Sequence, residues 1–496
     1  MYIEPLTIFR ELIQNSTDAI DSRSPPSFKQ PGAILVTLDR ANRSISVQDN
    51  GAGIKQSIAA QILTSVGDSA KRGTDARGFR GVGRLAGLGY CKKLRFETKA
   101  TKETKRTIVE WDGIKFRQKI KDPDYNNNLE QLIQDITSVE KASCDPKAAL
   151  DSFFCVTLVG VARLPLDRLL NEETVTNYIS QHCPVPFSQE FSQKDEVEGF
   201  LKQHLAYKAY EVSLRSSTEN STFASEQLTT QIFRPFGNAI NDVEVHDTDI
   251  QTSLIQTPNG LNAIWYINHE LSGAIPKAHG IRGLRARQKN IQIGEEDIFA
   301  GLFREERFNS WICGEVNIGD QTILPNGRRD SFEPGPSFSQ LETKLYEIAH
   351  QLSTKCRRDS KVRNYERKVD NELESLTKLV TTLKRAKVPP AILGNLTTDL
   401  GAQLVSLEAR ILTGDNTKKH GRKRKVSNIR KNLSSTISRK PTSAPNLNGH
   451  DESLLLNAVF EEIVSVTPDK AKAVQIIADS LIKIKKLVAS EKKHQP

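Results

Sequence analysis

The chain has 496 residues, a formal net charge of +10, 37% hydrophobic residues and 26% charged residues, an ordinary balance for two to four globular domains of about 100–200 residues each. No apolar run approaches the ~20 residues that cross a bilayer. Met1-Tyr2-Ile3-Glu4-Pro5 also lacks the basic-then-apolar order of a signal peptide, so the expected setting is cytoplasmic, or nuclear in a eukaryote, without a membrane partner. The six cysteines (Cys91, Cys144, Cys155, Cys183, Cys313, Cys356) are scattered with no CxxC pair, which fits buried free thiols better than disulfides or a zinc site.

Along the chain, Leu6, Phe9, Leu12, Ile13 and Ile20 fall at helical spacing, and Pro25-Pro26 stops any helix there. Residues 33–38 and 44–48 alternate as two strands around a short turn, and Asp49-Asn50-Gly51-Ala52-Gly53 is a tight loop. A helix over 56–63 precedes a segment, 67–83, rich in glycine, serine and charge. Strands are expected at 94–98, 106–111 and 114–119, then a polar, partly helical insertion over 122–149, a buried strand at 153–161 and a helix at 171–182. Helices beside antiparallel strands make this an α+β sandwich. Further strands are expected at 208–215, 229–235, 261–267, 281–285, 290–293 and 311–318, and helices over 338–358 and 361–412. Leu373, Leu376, Val380 and Leu383 form a seam that fits an intramolecular helix pair better than a partner helix.

Five segments follow: 1–188 and 189–358 as two α+β domains, 359–413 as a helical segment, 414–452 as a basic disordered linker and 453–496 as a small helical element. Much of the positive charge sits in Lys418-Lys419-His420-Gly421-Arg422-Lys423-Arg424-Lys425, which reads equally well as a solvated linker or as a contact for phosphate backbones.

Three motifs carry the chemistry. In Glu11-Leu12-Ile13-Gln14-Asn15-Ser16-Thr17-Asp18-Ala19, Glu11 and Asn15 are one helical turn apart and leave the helix on one face. An amide oxygen there can ligate Mg²⁺ and the carboxylate can deprotonate a water. Asp49-Asn50-Gly51-Ala52-Gly53 follows a strand; its glycines allow close backbone approach, and the carboxylate can accept from an exocyclic amine. Arg77-Gly78-Phe79-Arg80-Gly81-Val82-Gly83-Arg84 exposes backbone N–H groups that can hold phosphate. Each alone is also an ordinary polar helix face, turn or loop; their order is what discriminates.

In that order and at those separations, the motifs resemble the superfamily of gyrase, heat-shock protein 90, histidine kinases and MutL, and within it the heat-shock protein 90-like and MORC-like branch. The resemblance is most specific over residues 1–160, extends to about 350, and implies a Bergerat-type ATP-binding sandwich followed by an α+β middle domain and a helical C-terminal region. It implies ATP with Mg²⁺. Glu11 is then the general base and Asn15 the metal ligand. Asp49 reads adenine, with Asp18, Gly51 and Gly53 beside it. Gly78, Phe79, Arg80, Gly81, Val82 and Gly83 cradle the phosphates with Lys71 nearby, and Thr157 supports adenine binding. Arg328 or Arg329, in a Pro-Asn-Gly turn, is the expected middle-domain cation for the terminal phosphate, with Lys277, Arg287 and Lys289 as competitors.

The function implied is an ATP-driven switch that closes as a dimer and remodels protein partners; the alternative is a MORC-like or MutL-like clamp on nucleic acid. Only ten residues precede Glu11, which speaks against the strand exchange that family members use at closure. A histidine kinase is disfavoured because no phosphoacceptor-histidine helix precedes the motifs. Topoisomerase or repair work is disfavoured by the lack of a catalytic-tyrosine context or an endonuclease motif.

Overall fold

The computed structural model describes residues 4–23, 31–66, 83–144, 150–217, 229–236, 250–267, 273–386, 390–413 and 418–437, with isolated positions beyond. It divides into two units, Met1–Cys356 and Arg357–Pro496.

The first unit opens with α1 (Thr7–Asp21), whose Phe9, Leu12 and Ile13 are fully buried. Next comes the hairpin of β1 (Ala33–Asp39) and β2 (Ser44–Asp49), each with alternate residues buried. After α2 (Gln56–Thr64), β3 (Lys93–Lys99) and β4 (Lys105–Asp112) form a second antiparallel pair. The expected strand at 114–119 is instead α3 (Gly113–Lys121). The Asp112 carboxylate accepts the N–H groups of Ile114 and Lys115 at 3.0 and 2.9 Å, and this N-cap turns the chain into a helix.

Within the expected polar insertion, α4 (Leu129–Ile136) starts from an Asn128–Gln131 capping box and leads into β5 (Thr137–Ser143). β5 is an edge strand with mostly exposed residues, so its sequence lacks the alternation that marks a strand. β6 (Phe153–Val159) enters the centre of the sheet, and α5 (Glu172–His182) and α6 (Lys194–His204) follow.

β7 (Glu211–Ser217) then returns to pair parallel with β1, and β8 (Thr229–Gln231) pairs with β7. The sheet therefore has eight strands in the order β5-β4-β3-β6-β2-β1-β7-β8. This corrects the boundary expected after residue 188: two strands assigned to the second domain complete the first sheet. Val212 and Leu214 join its core, while a parallel return after two helices leaves no local signature. α1 packs on β1 and β2, and α2 on β3 and β4. On the opposite face Glu97 pairs with Arg95 and Arg106, so the layer is a sandwich with one polar face.

A five-stranded sheet follows in the order β12-β11-β13-β10-β9, from β9 (Ile250–Thr257), β10 (Gly260–Ile267), β11 (Gly283–Gln288), β12 (Ile291–Ile293) and β13 (Cys313–Ile318). β9 has no counterpart among the expected strands; four successive residues of it are exposed. One face of this sheet packs Ile264, Leu284 and Val316 against Leu341 and Leu345 of α7 (Pro336–Ala386). The other packs Ala263 and Trp265 against Phe187, Phe191 and Phe236. Covered on both sides, β13 is buried at every position.

The second unit joins the latter part of α7 to α8 (Pro390–Thr413) and α9 (Lys419–Ile437). Leu373, Leu376, Val380 and Leu383 pack with Leu404 and Leu407 in one intramolecular core, as the seam predicts. The linker expected over 414–452 is corrected across 419–437. Val426, Ile429 and Leu433 of α9 enter that core, and Arg422 makes a bidentate pair with Asp370 at 2.8 and 2.7 Å. The high density of Lys and Arg hides this stripe from a compositional reading. Apart from isolated positions, the helical element expected over 453–496 lies outside the described residues. Among the described residues no helix is long and apolar enough to cross a membrane.

Candidate active site

The apolar side of α1 faces the sheet, which leaves its polar side buried along the sandwich edge. Glu11 is only 6% exposed and Asn15 is half-buried one turn on. β2 turns Ile45, Val47 and Asp49 toward the helices, so the alternation that buries two aliphatic residues also buries a carboxylate. Asp49 is 1% exposed and its Oδ1 accepts the Gly51 N–H at 2.9 Å. The loop beyond is pressed onto α1: Ala52 N–H donates to the Ala19 carbonyl at 3.0 Å, and a Cβ on Gly51 would stand 2.7 Å from Ala19. Gly53 has φ +64°, and a Cβ there would lie 2.1 Å from the Lys99 carbonyl oxygen, so only glycine fits.

Gly83, the last glycine of the Arg77–Arg84 motif, brings its backbone against Glu11: a Cβ on it would lie 2.5 Å from Glu11 Oε2. Lys71, Gly78, Phe79, Arg80, Gly81 and Val82 lie outside the described residues. Asp18 is buried on the same helix, 6% exposed.

Thr157 is not brought to this site. The register sets Asp49 opposite Phe154 and Thr157 opposite Ser46 and Arg95. Thr157 therefore projects from the polar face, away from Asp49. The hydroxyl at Asp49's end of β6 is Ser152, 2% exposed, which donates to the Gly51 carbonyl at 2.6 Å. Thr98, on β3, accepts the Ile54 N–H at 2.9 Å and closes the loop's far side. Sequence reasoning missed both, because strand register decides which hydroxyl shares a face with Asp49.

From the second sheet, the turn 325–332 reaches the same place. Pro325 and Phe332 form an antiparallel bridge, Arg329 takes φ 60°, and its carbonyl accepts the Gly294 N–H at 2.9 Å. This aims Arg329 inward, its Nε 3.5 Å from Glu11 Oε1. Arg328 points outward and offers its carbonyl to Arg10 Nη2 at 3.4 Å. Arg10 also sets its Nε 3.7 Å from Glu11 Oε1, a neighbour that the sequence reading did not single out.

The competing cations are engaged elsewhere. Lys277 is exposed and pairs with Glu296 at 3.1 Å, and Lys289 sits in the β11–β12 turn. Arg287 belongs to a buried group with Glu315 and Arg234: its Nε is 2.5 Å and Arg234 Nη1 3.0 Å from the Glu315 carboxylate. Burial lowers the Arg287 pKa to about 10, with Arg234 adding repulsion. Burial works to raise that of Glu315, but the arginines overcome it and hold the carboxyl below its usual range. Arg287 also donates to the Gln181 carbonyl at 2.5 Å and Arg234 to that of Val185 at 3.3 Å, which fixes the end of α5 and the segment after it on the second sheet.

His182, at the end of α5, stacks on Tyr178 and lies 3.6 Å from Glu295. Burial lowers its pKa, Arg10 and Arg285 reinforce this, and Glu295 opposes it.

The fold is an α/β sandwich whose first helix carries a buried acid and, one turn on, a half-buried amide. Residues 4–145 match the family described as histidine kinase-, DNA gyrase B-, and HSP90-like ATPase. Over 134 residues the chain is 30% identical to Chaperone protein HtpG of Acinetobacter baylyi, a match covering 22% of this chain and 20% of that protein. The chain thus spans about one fifth of the length of the curated relative it matches. Over this N-terminal segment the chain is therefore similar to the ATPase domains of histidine kinases, gyrase B and heat-shock protein 90, and the relative matched is on the heat-shock protein 90 side.

Proposed function

We propose that the chain is a Mg²⁺-dependent ATPase whose nucleotide cycle drives a conformational switch, closing two copies on each other to remodel protein partners in the cytoplasm. The observation that carries this reading is the convergence on Glu11: Asn15 one turn away on the same helix, the Gly83 backbone against Oε2, and Arg329 at 3.5 Å from Oε1.

The residues suit the ligand. Asn15 offers a half-buried amide with no side-chain hydrogen bond to a described residue, an oxygen donor of the kind Mg²⁺ takes. The metal would neutralise phosphate charge once bound. Asp49 supplies a buried acceptor for an exocyclic amine, and Gly51 and Gly53 let the loop beyond it pack onto Ala19 and the Lys99 carbonyl. Glu11 takes a proton from water as the water oxygen bonds to the terminal phosphorus, and ADP leaves with the electrons of the broken bond. Arg329 offsets the negative charge that builds up in that step. Because Arg329 comes from the second sheet, its position links chemistry on α1 to movement of the turn 325–332.

The test is nucleotide binding and phosphate release by the full chain. Glu11→Ala abolishes turnover and keeps ATP affinity, whereas Asp49→Asn loses binding. Undiminished turnover in Glu11→Ala removes the base; normal affinity in Asp49→Asn removes the adenine contact.

A nucleic-acid clamp is the second reading, favoured by α9. Its core-facing stripe turns Lys423, Arg424 and Lys431 outward on a helix without an acidic residue. ATPase stimulation by duplex DNA that fades with salt, and is lost when these three are changed to Glu, selects the clamp. Stimulation by unfolded protein and none by DNA selects remodelling.

A further inference from the structure

One side chain of α1, close to Glu11 on the helix surface, is buried without a polar partner. Gln14 is 1% exposed, and neither its amide oxygen nor its amide nitrogen has a hydrogen-bond partner. Among the described residues it is the one side chain whose donor and acceptor are both buried and unmet. Glu11 Oε1 and Arg10 Nε, on the same turn, are likewise buried without a hydrogen bond. A buried amide left unbonded is destabilising, and Met would fill the same volume without that cost. Such groups persist where they meet a ligand or a water in function. Gln14 follows Glu11 by three positions, about 60° of arc at 3.6 residues per turn, so both leave α1 on the same side.

We propose that Gln14 is a catalytic residue that orients the attacking water together with Glu11; this rests on the ATPase reading above. A carboxylate can only accept from water, so Glu11 fixes one of the two water protons. The Gln14 amide oxygen fixes the other, and a lone pair is then left to face the terminal phosphorus. As the oxygen–phosphorus bond forms, Glu11 receives its proton, the bond to the bridging oxygen breaks, and ADP departs with that electron pair. Gln14 neither gains nor loses a proton; it lowers the barrier by removing the water's rotational freedom. This separates its role from that of Asn15, which faces the metal, and from that of Arg329, which faces developing charge.

The experiment compares the full chain with Gln14→Met and Gln14→Ala by three readouts: ATP dissociation constant, kcat for phosphate release, and nucleotide-free melting temperature. Both variants are expected to lose roughly 10- to 100-fold in kcat with ATP affinity within about twofold. Gln14→Met is expected to melt at or above the wild-type temperature. Wild-type kcat in either variant overturns the proposal, as does weakening of ATP affinity that accounts for the whole loss. If the unaltered chain neither binds nor hydrolyses ATP, the ATPase reading itself falls. If it hydrolyses ATP and the variants match it, Gln14 alone loses its role.

Discussion

Arg329 Nε stands 3.5 Å from Glu11 Oε1, joining a turn of the second sheet to the first helix of the sandwich. Neither group is open to water: the arginine side chain is 13% exposed and the glutamate side chain 7%. On the proposed reading, that cation offsets charge developing beside Glu11. Arg329→Ala is expected to lower kcat about 100-fold with a much smaller change in ATP affinity, and Arg329→Lys to recover only part of it. Steady-state phosphate release together with equilibrium nucleotide binding measures both. Equal losses in binding and turnover would make Arg329 a binding group instead.

Ser152 and Thr157 separate two accounts of the adenine end. Ser152→Ala removes the 2.6 Å bond to the Gly51 carbonyl and is expected to weaken ATP binding about tenfold and to destabilise the fold by about 1 kcal/mol. Thr157→Ala, on the polar face, is expected to leave affinity within about twofold. Calorimetric titration of both variants decides, and the reverse ranking would refute the placement drawn from the strand register.

Glu315 is fully buried between Arg234 and Arg287. Glu315→Leu leaves two buried guanidinium groups without a counter-charge and is expected to cost about 3–5 kcal/mol in urea unfolding. Changing all three residues together to apolar ones is expected to cost far less, because no lone charge remains. A loss in the triple variant as large as in the single one would mean that the group contributes more than mutual compensation.

His182 gives the fold an acid-sensitive point. Burial holds its native pKa below the ordinary 6.5, with Arg10 and Arg285 adding repulsion and Glu295 opposing. The unfolded chain therefore binds this proton more readily than the native one. The stability contributed by neutral His182 is complete above about pH 6.5 and declines as pH falls from there toward the lowered native value, by at most about 1.4 kcal/mol per pH unit. His182→Gln is expected to flatten that limb of a melting-temperature profile taken from pH 7 to pH 5. An unchanged slope would mean that other groups set it.

Much of the site could be read from local sequence because its geometry is local. Glu11 and Asn15 share a face through helical periodicity alone, and Asp49 is buried by the same alternation that buries Val47. The Pro-Asn-Gly turn marks Arg328 and Arg329 together, and only the fold shows which of them lies near Glu11. What the sequence hid was pairing. The resemblance implies Thr157 at the adenine end, whereas the register turns it to the face away from Asp49, which its position along the strand alone does not show. Residues 114–119 alternate like a strand until the Asp112 cap is counted. The apolar stripe of α9 was masked by lysine and arginine, and β7 and β8 carry no mark of which sheet they join.

The parallel pairing of β7 with β1 has a consequence for biosynthesis. β1 acquires its second neighbour only after the ribosome has made residues past 217, beyond both α5 and α6. Until then the outer edge of Ala33–Asp39 presents unpaired peptide groups to other nascent chains. Expression of a fragment ending near 188 makes that interval permanent and invites edge-to-edge aggregation. Extending it to 236 adds Arg234 without Glu315, and a piece that both completes the second sheet and covers it with Leu341 and Leu345 ends within α7.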